Sequence, residues 1–456
     1  MNCHKYLKTY YLRIIHRHLI SVLLCYACTI SLVAQDVVFE NPENRVILDH
    51  LDTTISLRKS KGVVSIGPKH KLAQNTIFFN KPFTFVGSEF DYFHIKGSFL
   101  QHFIVDSAIF KQEVMYIDST DFDSLFISNS TFQGRIVFES VYIKDLKFIG
   151  NKFPGDLIFW NCTIPNLDIS SSYFEKDVSF INCKLGNLDF GRTDFRGQLR
   201  LPYNTIEGRV NFQYANFGPK LDLKGIVSNS NTRFLFAGSL LPDTLDLSDN
   251  RTLPDSLNLT GVSDIQLRRS KLLLNGTNVS NVLLNYDYFS IIFPPKTAAD
   301  EKERIYRGLL QNLQTNSYQQ SYADLDVEYR RFKTQQGTFG FLWRIPDWWW
   351  RYGYERERVF VITFFSLLLL VLINFFFLNF LVDKVYPVGN IPAYYRKWNG
   401  KRLWFATVYT LVIFFSLYLR VDKINFQQKR GSSYVMLMYL YGLICLAYMA
   451  NYVIQR

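Results

Sequence analysis

Histidine is scarce where chemistry would need it. Beyond residue 35 the chain holds only His50, His70, His94 and His102, and none sits in an HExxH pattern that sets two imidazoles on one helix face for zinc. No GxSxG segment offers a nucleophile elbow, and no GxxxxGK[S/T] or GxGxxG segment cradles a phosphate. Cys3, Cys25 and Cys28 lie near the N-terminus, leaving Cys162, Cys183 and Cys445 without the paired CxxC knuckles of a zinc ribbon. The carboxylates offer more. Asp156/Asp177 and Asp168/Asp189 recur at one fixed spacing. Stacked pairs of this kind can hold a cation or share a proton, but the outer face of a repeat also carries such residues simply to meet water. Arg268, Arg269 and Lys271 read as a solvated loop. No catalytic residue, metal ligand or cofactor site is assigned, and the chain is expected to be non-enzymatic.

The fixed spacing belongs to a longer pattern. Large apolar residues recur at Phe99, Phe110, Phe122, Phe132, Ile143, Phe153, Ile164, Phe174, Leu185, Phe195, Ile206 and Phe217, in steps of 10 to 12 residues. Apolar-x-apolar pairs such as Leu146/Phe148, Leu157/Phe159 and Leu167/Ile169 fall between them. Small or polar residues precede the large ones by two positions, as at Ser130, Asn151, Cys162, Ser172, Cys183 and Thr193. The stretch from Asp156 to Cys162 aligns with that from Asp177 to Cys183, and Asn166-Leu-Asp-Ile aligns with Asn187-Leu-Asp-Phe, so the full repeat is about 21 residues. Period-two alternation means strands. Strands this short and regular must stack coil upon coil, because one repeat cannot bury its own apolar face. The expected interior includes Phe132, Phe153, Phe174, Phe195 and Phe217, with Cys162 and Cys183 one coil apart. At a strand spacing of about 4.8 Å their Cα atoms lie within disulfide range. Side chains in register point the same way, however, which favours two reduced thiols.

The fragments Ser107-Ala-Ile-Phe110, Ser130-Thr-Phe132, Ser172-Tyr-Phe174, Thr193-Asp-Phe195 and Ala215-Asn-Phe217 carry a small residue ahead of a Phe. In this the sequence resembles the pentapeptide-repeat family. The resemblance implies a right-handed β-helix with about four faces per coil; a looser β-solenoid also fits. The expected fold is a mainly β solenoid followed by an α-helical neck and an α-helical transmembrane domain. Its parts are a signal peptide at 1–35, an N-terminal cap at 36–84, the solenoid at 85–293, a helical hairpin at 296–340 and a membrane domain at 341–456.

The formal charge of +12 is unevenly spread: +4 in residues 1–35, −2 in 36–295 and +10 in 296–456. Membrane proteins keep Lys and Arg beside their apolar segments in this way, whereas a nucleic-acid binder concentrates them on its folded domain. The first 35 residues join a basic start to an apolar run and a small Ala34, the layout of a secretory leader. Trp348, Trp349, Trp350, Tyr352 and Tyr354 cluster before a long apolar run, as at a bilayer interface. Apolar segments follow at 359–382, 403–419 and 434–454. The first and last are long enough to span; the middle one either spans with little tilt or dips in and returns. None shows a buried ionisable residue.

The hairpin, the Tyr352-Gly353-Tyr354 step, the short helix beginning Ala406-Thr-Val-Tyr and the final segment with Tyr441-Gly442 are similar to the two-helix potassium-channel module. That resemblance implies a pore loop at Ser416, Leu417, Tyr418, Leu419 and Arg420. A potassium filter lines up backbone carbonyls from a glycine-bearing loop. This loop has no glycine and carries Arg420, so the implied pore is atypical and not potassium-selective.

The combined expectation is a bacterial-type, multi-pass inner-membrane protein. Its solenoid stands on the periplasmic side and offers a protein or glycan partner a long surface. The lipid bilayer is the other partner, and nucleic acid is not one. An oligomeric ion-channel-like protein, which makes the chain a homo-oligomer, and a glycan-acting β-helix enzyme are the alternatives.

Overall fold

A computed structural model of the chain describes the backbone at 37–39, 55–58, 61–66 and 77–79. It describes residues 83–454 apart from 230, 252, 254–256, 264–268, 337–343, 388–399 and 416–423, and without the side chains of 91, 92 and 453. The signal-peptide expectation lies outside the described residues. The chain forms two compact units, Met1–Leu325 and Asp326–Arg456.

The first unit is a parallel β-solenoid of about 9 turns over residues 83–292. Its strands form two parallel sheets of 17 and 14 strands among the described residues. In the middle the register is regular: Leu125 pairs with Leu146, Leu146 with Leu167 and Leu167 with Leu188. Later coils lengthen, because Leu221 pairs with Leu245 and Leu245 with Leu272. This is why the repeat weakens in the sequence beyond residue 217.

Inside, Phe90, Phe110, Phe132, Phe153, Phe174, Phe195 and Phe217 form one column of stacked rings, with neighbouring centroids 4.4–5.8 Å apart. Phe138, Phe159 and Phe180 form a second. Each fully buried ring contributes roughly 1.5–3 kcal/mol of transfer free energy. The small residues fill narrow corners and tie coils together. Asn151 Nδ2 donates to Ile127 O, Ser172 Oγ to Phe148 O, Thr193 Oγ1 to Ile169 O and Asn204 Nδ2 to Phe180 O, at 2.7–3.0 Å. Cys162 and Cys183 occupy the same kind of corner as free, buried thiols. Just ahead of each corner stands a left-handed residue, among them Asn129, Asn161, Ser171, Asn182 and Tyr203, all with φ near +50° to +56°. Asn tolerates this conformation best after glycine, and Ser, Arg and Tyr take it at other coils. Two such bends per coil set the steps of 10 and 11.

Helix α1 (Ala299–Thr315) caps the last coil. It buries Ile305, Tyr306, Leu309, Leu310 and Leu313. Asn312 Nδ2 donates to the carbonyls of Val279 and Val282, which the end of the stack would otherwise leave open. Helix α2 (Gln319–Gln336) follows, and the division between the units falls within it.

The second unit holds α3 (Arg344–Trp350), α4 (Arg358–Phe380), α5 (Gly400–Phe414) and α6 (Lys429–Ile454). Arg358–Val385, with a π turn at its end, and Lys429–Tyr452 are long and apolar enough to cross a membrane. Helix α5 has 15 residues, a rise of about 22 Å against a hydrocarbon core of about 30 Å. One expectation is corrected here. Helix α5 begins before residue 403 and takes in Arg402, which is buried at 2% exposure. Its guanidinium donates to the carbonyls of Phe375 and Phe376. The long stem lets the charge find backbone acceptors from a position that the apolar pattern had left outside the segment.

Candidate binding groove on the solenoid

Seven successive strands of the smaller sheet build one outer face: β1 (Ser98–Asp106), β2 (Asp121–Ser128), β3 (Tyr142–Ile149), β4 (Thr163–Asp168), β5 (Lys184–Asp189), β6 (Arg209–Asn211) and β7 (Arg233–Leu235). Leu146, Leu167, Leu188 and Val210 point inward and are fully buried or nearly so. Alternation then puts their neighbours outside in two rows. The first row runs His102, Ser124, Asp145, Asn166, Asn187, Arg209, Arg233, each in register with the next or tied to it by a hydrogen bond. The second runs Lys147, Asp168, Asp189, Asn211. Between them lies an open groove of about 240 Å³ lined from Asp145 to Asn211.

The first row is a directed ladder. Asn166 Nδ2 donates to Asp145 Oδ1 at 2.9 Å, Asn187 Nδ2 to Asn166 Oδ1 at 3.1 Å, and the Arg209 backbone N–H to Asn187 Oδ1 at 3.1 Å. Asn166 also reaches the Lys144 carbonyl at 3.5 Å, whereas Asn187 keeps a second N–H, and each amide oxygen keeps a second lone pair for a ligand. In the second row Asp168 Oδ1 accepts from Ser170 N, and Asp189 Oδ1 accepts from Gly191 N and Asn211 Nδ2. A Cβ at residue 191 would sit 2.9 Å from Asp189 Oδ1, so glycine permits that turn. The stacked Asp168 and Asp189 are thus each fixed through one oxygen. Among the described residues, no group of three or more His, Cys, Asp or Glu is placed to hold a metal ion.

The repeated Asn-Leu-Asp segments had announced the middle of both rows. Arg209 and Arg233 had gone unnoticed because longer coils break the 21-residue offset. Of the interior residues singled out in sequence, Phe132, Phe153, Phe174, Phe195, Phe217, Cys162 and Cys183 are all buried. Contact with the Cys162 thiol, together with burial, pushes the Cys183 thiol well above its ordinary value. Asp156 and Asp177 stand apart from the groove and pair with Arg135 and Arg200.

In the second unit the pore-loop candidates Ser416, Leu417, Tyr418, Leu419 and Arg420 lie outside the described residues. Trp348 is largely exposed, while the rings of Trp349 and Trp350 pack on Tyr448 of α6. Arg351, Tyr352 and Gly353 form a left-handed turn, and Tyr354 donates its hydroxyl to Asp326. The helices share a polar centre absent from the sequence reading: Asn374 of α4 donates to Thr410 of α5 and accepts from Tyr434 of α6. Gly442 lets α6 approach α5, since a Cβ there would lie 1.8 Å from Phe414 O.

Fold and groove together define a β-solenoid protein with a polar outer groove and a C-terminal helical unit containing two apolar helices of spanning length. Comparison with family models, curated proteins and solved structures finds no match to the chain.

Proposed function

We propose that the chain is a non-enzymatic, multi-pass envelope membrane protein that holds its solenoid outside the inner membrane as a binding scaffold. The observation that carries this reading is the groove. An unbroken row of outward polar side chains crosses seven neighbouring strands, and its middle members keep hydrogen-bonding capacity unspent. Solenoids use extended faces of this kind to engage partners. The two apolar helices support anchoring, and the basic excess beside them supports the orientation. The stacked Phe columns also support the finer, pentapeptide-repeat-like reading.

A photo-cross-linking residue placed at position 187 in living cells tests the scaffold reading. Adducts are expected there and not at Lys176, which is exposed away from the groove. Equal or absent adducts at the two sites would remove the groove as a binding face.

The second reading is an oligomeric ion-channel-like protein. It is favoured by α5, whose 15 described residues are fewer than a span needs, packed between two longer helices through Thr410 and Phe414. Planar-bilayer recording from the purified oligomer tests it; a silent bilayer counts against a pore.

A further inference from the structure

Arg209 and Arg233 lie side by side in register on β6 and β7, both exposed. Like charges set directly opposite each other destabilise a sheet. Among the described residues, neither guanidinium has an ion pair or a hydrogen-bond partner. The carboxylates of Asp168 and Asp189 line the same groove as Arg209 yet form no salt bridge with it. A repulsive pair left without its anion, at the end of a ladder that terminates on the Arg209 backbone, is poised for an anion from outside. Guanidiniums grip planar carboxylates through two parallel hydrogen bonds.

The remainder of the groove excludes a densely acidic ligand. Asp145, Asp168 and Asp189 would repel a charge on every unit. Their role is to accept hydrogen bonds, since one oxygen of Asp168 and of Asp189 is already tied to the chain and the other is left for a donor. The amides of Asn166 and Asn187 can both donate and accept. Vicinal hydroxyls match such a mixture of acceptors and amides. The row from Asp145 to Arg209 covers three coil steps, about 14 Å at about 4.8 Å per step.

We infer that the groove binds a hydroxyl-rich glycan with its sugars along Asp145, Asn166 and Asn187 and a single carboxylate on Arg209 and Arg233. The inference rests on the binding-scaffold reading and supplies its ligand class.

Isothermal titration of the full chain in detergent micelles tests it, with four probes. These are a neutral hexose oligomer ending in one uronate, the same oligomer with the carboxylate reduced to the alcohol, a fully acidic uronate tetramer, and a tetraglutamate peptide. The single-uronate probe is expected to bind at least tenfold more tightly than the other three. In Arg209→Gln/Arg233→Gln it should lose that advantage, while the reduced probe is unaffected. Both substitutions are at exposed positions, and circular dichroism checks the fold. Equal binding of the acid and its alcohol, or an unaffected double variant, overturns the inference. If the alcohol binds equally and Asn166→Leu/Asn187→Leu abolishes it, the face binds an uncharged glycan, and the scaffold reading survives. Preference for tetraglutamate overturns the glycan class. If no probe binds, the inference falls, and cross-linking at position 187 then decides the scaffold reading separately.

Discussion

The hydroxyl of Tyr434 donates to Asn374 Oδ1 at 2.8 Å, while the amide of the same Asn374 donates to Thr410 at 2.8 Å. Asn374 is fully buried, and it thereby binds α4 to both α5 and α6. In a bilayer the hydrophobic effect does not hold helices together, so packing and interhelical hydrogen bonds must do so. Asn374→Leu removes both bonds: the Tyr434 hydroxyl loses its acceptor, while Thr410 keeps only its own bond to the Ala406 carbonyl. The helical unit should lose about 1–2 kcal/mol, read as a lower unfolding midpoint in detergent. An unchanged midpoint would show that the polar centre is dispensable.

Phe153 sits in the middle of the interior column, 4.9 Å from Phe132 and 4.5 Å from Phe174, nearly parallel to both. Coils above and below hold the cavity walls apart, so collapse is restricted. Phe153→Ala should destabilise the solenoid by about 3–5 kcal/mol and Phe153→Leu by clearly less. Denaturant unfolding followed by far-ultraviolet dichroism distinguishes the two; equal losses would contradict a tightly stacked column.

Lys220 bridges the in-register carboxylates of Asp222 and Asp246 at 2.8 and 3.0 Å. Burial pushes the Asp246 carboxyl up, but hydrogen bonds from Ser248 and Lys220 outweigh it and hold the group below its ordinary 3.8. Burial likewise pulls Lys220 down, while Asp222 and Asp246 outweigh it and hold the ammonium above 10.5. A depressed carboxyl stabilises the fold above its unfolded value and loses that contribution as pH falls through the folded one. A raised ammonium stabilises fully below its unfolded value and loses that as pH rises through the folded one. The contribution of Asp246 and Lys220 is therefore fully present between 3.8 and 10.5. Asp246→Asn should cost about 1.5–3 kcal/mol at neutral pH, and the gap from the parent should close as pH drops below 3.8. A gap independent of pH in acid would assign the loss to packing instead.

Cys162 and Cys183 are free thiols buried in one corner ladder, their Sγ atoms directed at the carbonyls of Phe138 and Phe159. Alkylation of the folded chain should leave both unmodified, and alkylation after unfolding without reductant should label both. Mass spectrometry of the peptides carrying them reads the difference. Recovery of a cross-linked peptide pair would mean a disulfide.

The solenoid was legible because its interior repeats the same demand on every coil: a large side chain at Phe132, Phe153 and Phe174, and a small one two positions earlier. The left-handed bends were not read, since Asn, Ser, Arg and Tyr share that role at Asn161, Ser171, Arg192 and Tyr203. The groove was half legible. Asn166 and Asn187 repeat in sequence, but Arg209 and Arg233 join their row only through coils of unequal length. In the helical unit, hydrophobicity marked the long helices but not what joins them. Asn374 and Tyr434 are 60 positions apart and fit no period, and Arg402 reaches its acceptors only through its flexible stem.

Each coil adds one side chain to each row of the groove, as the steps from Asp145 to Asn166 to Asn187 illustrate. The length of the face is therefore counted out in whole coils. Duplicating a single 21-residue segment would extend the row by about 4.8 Å and leave every existing neighbour in place, with the α1 lid still closing the stack. Substitutions can retune individual rungs, but reach is a matter of copy number, set by how many coils of this spacing the chain carries.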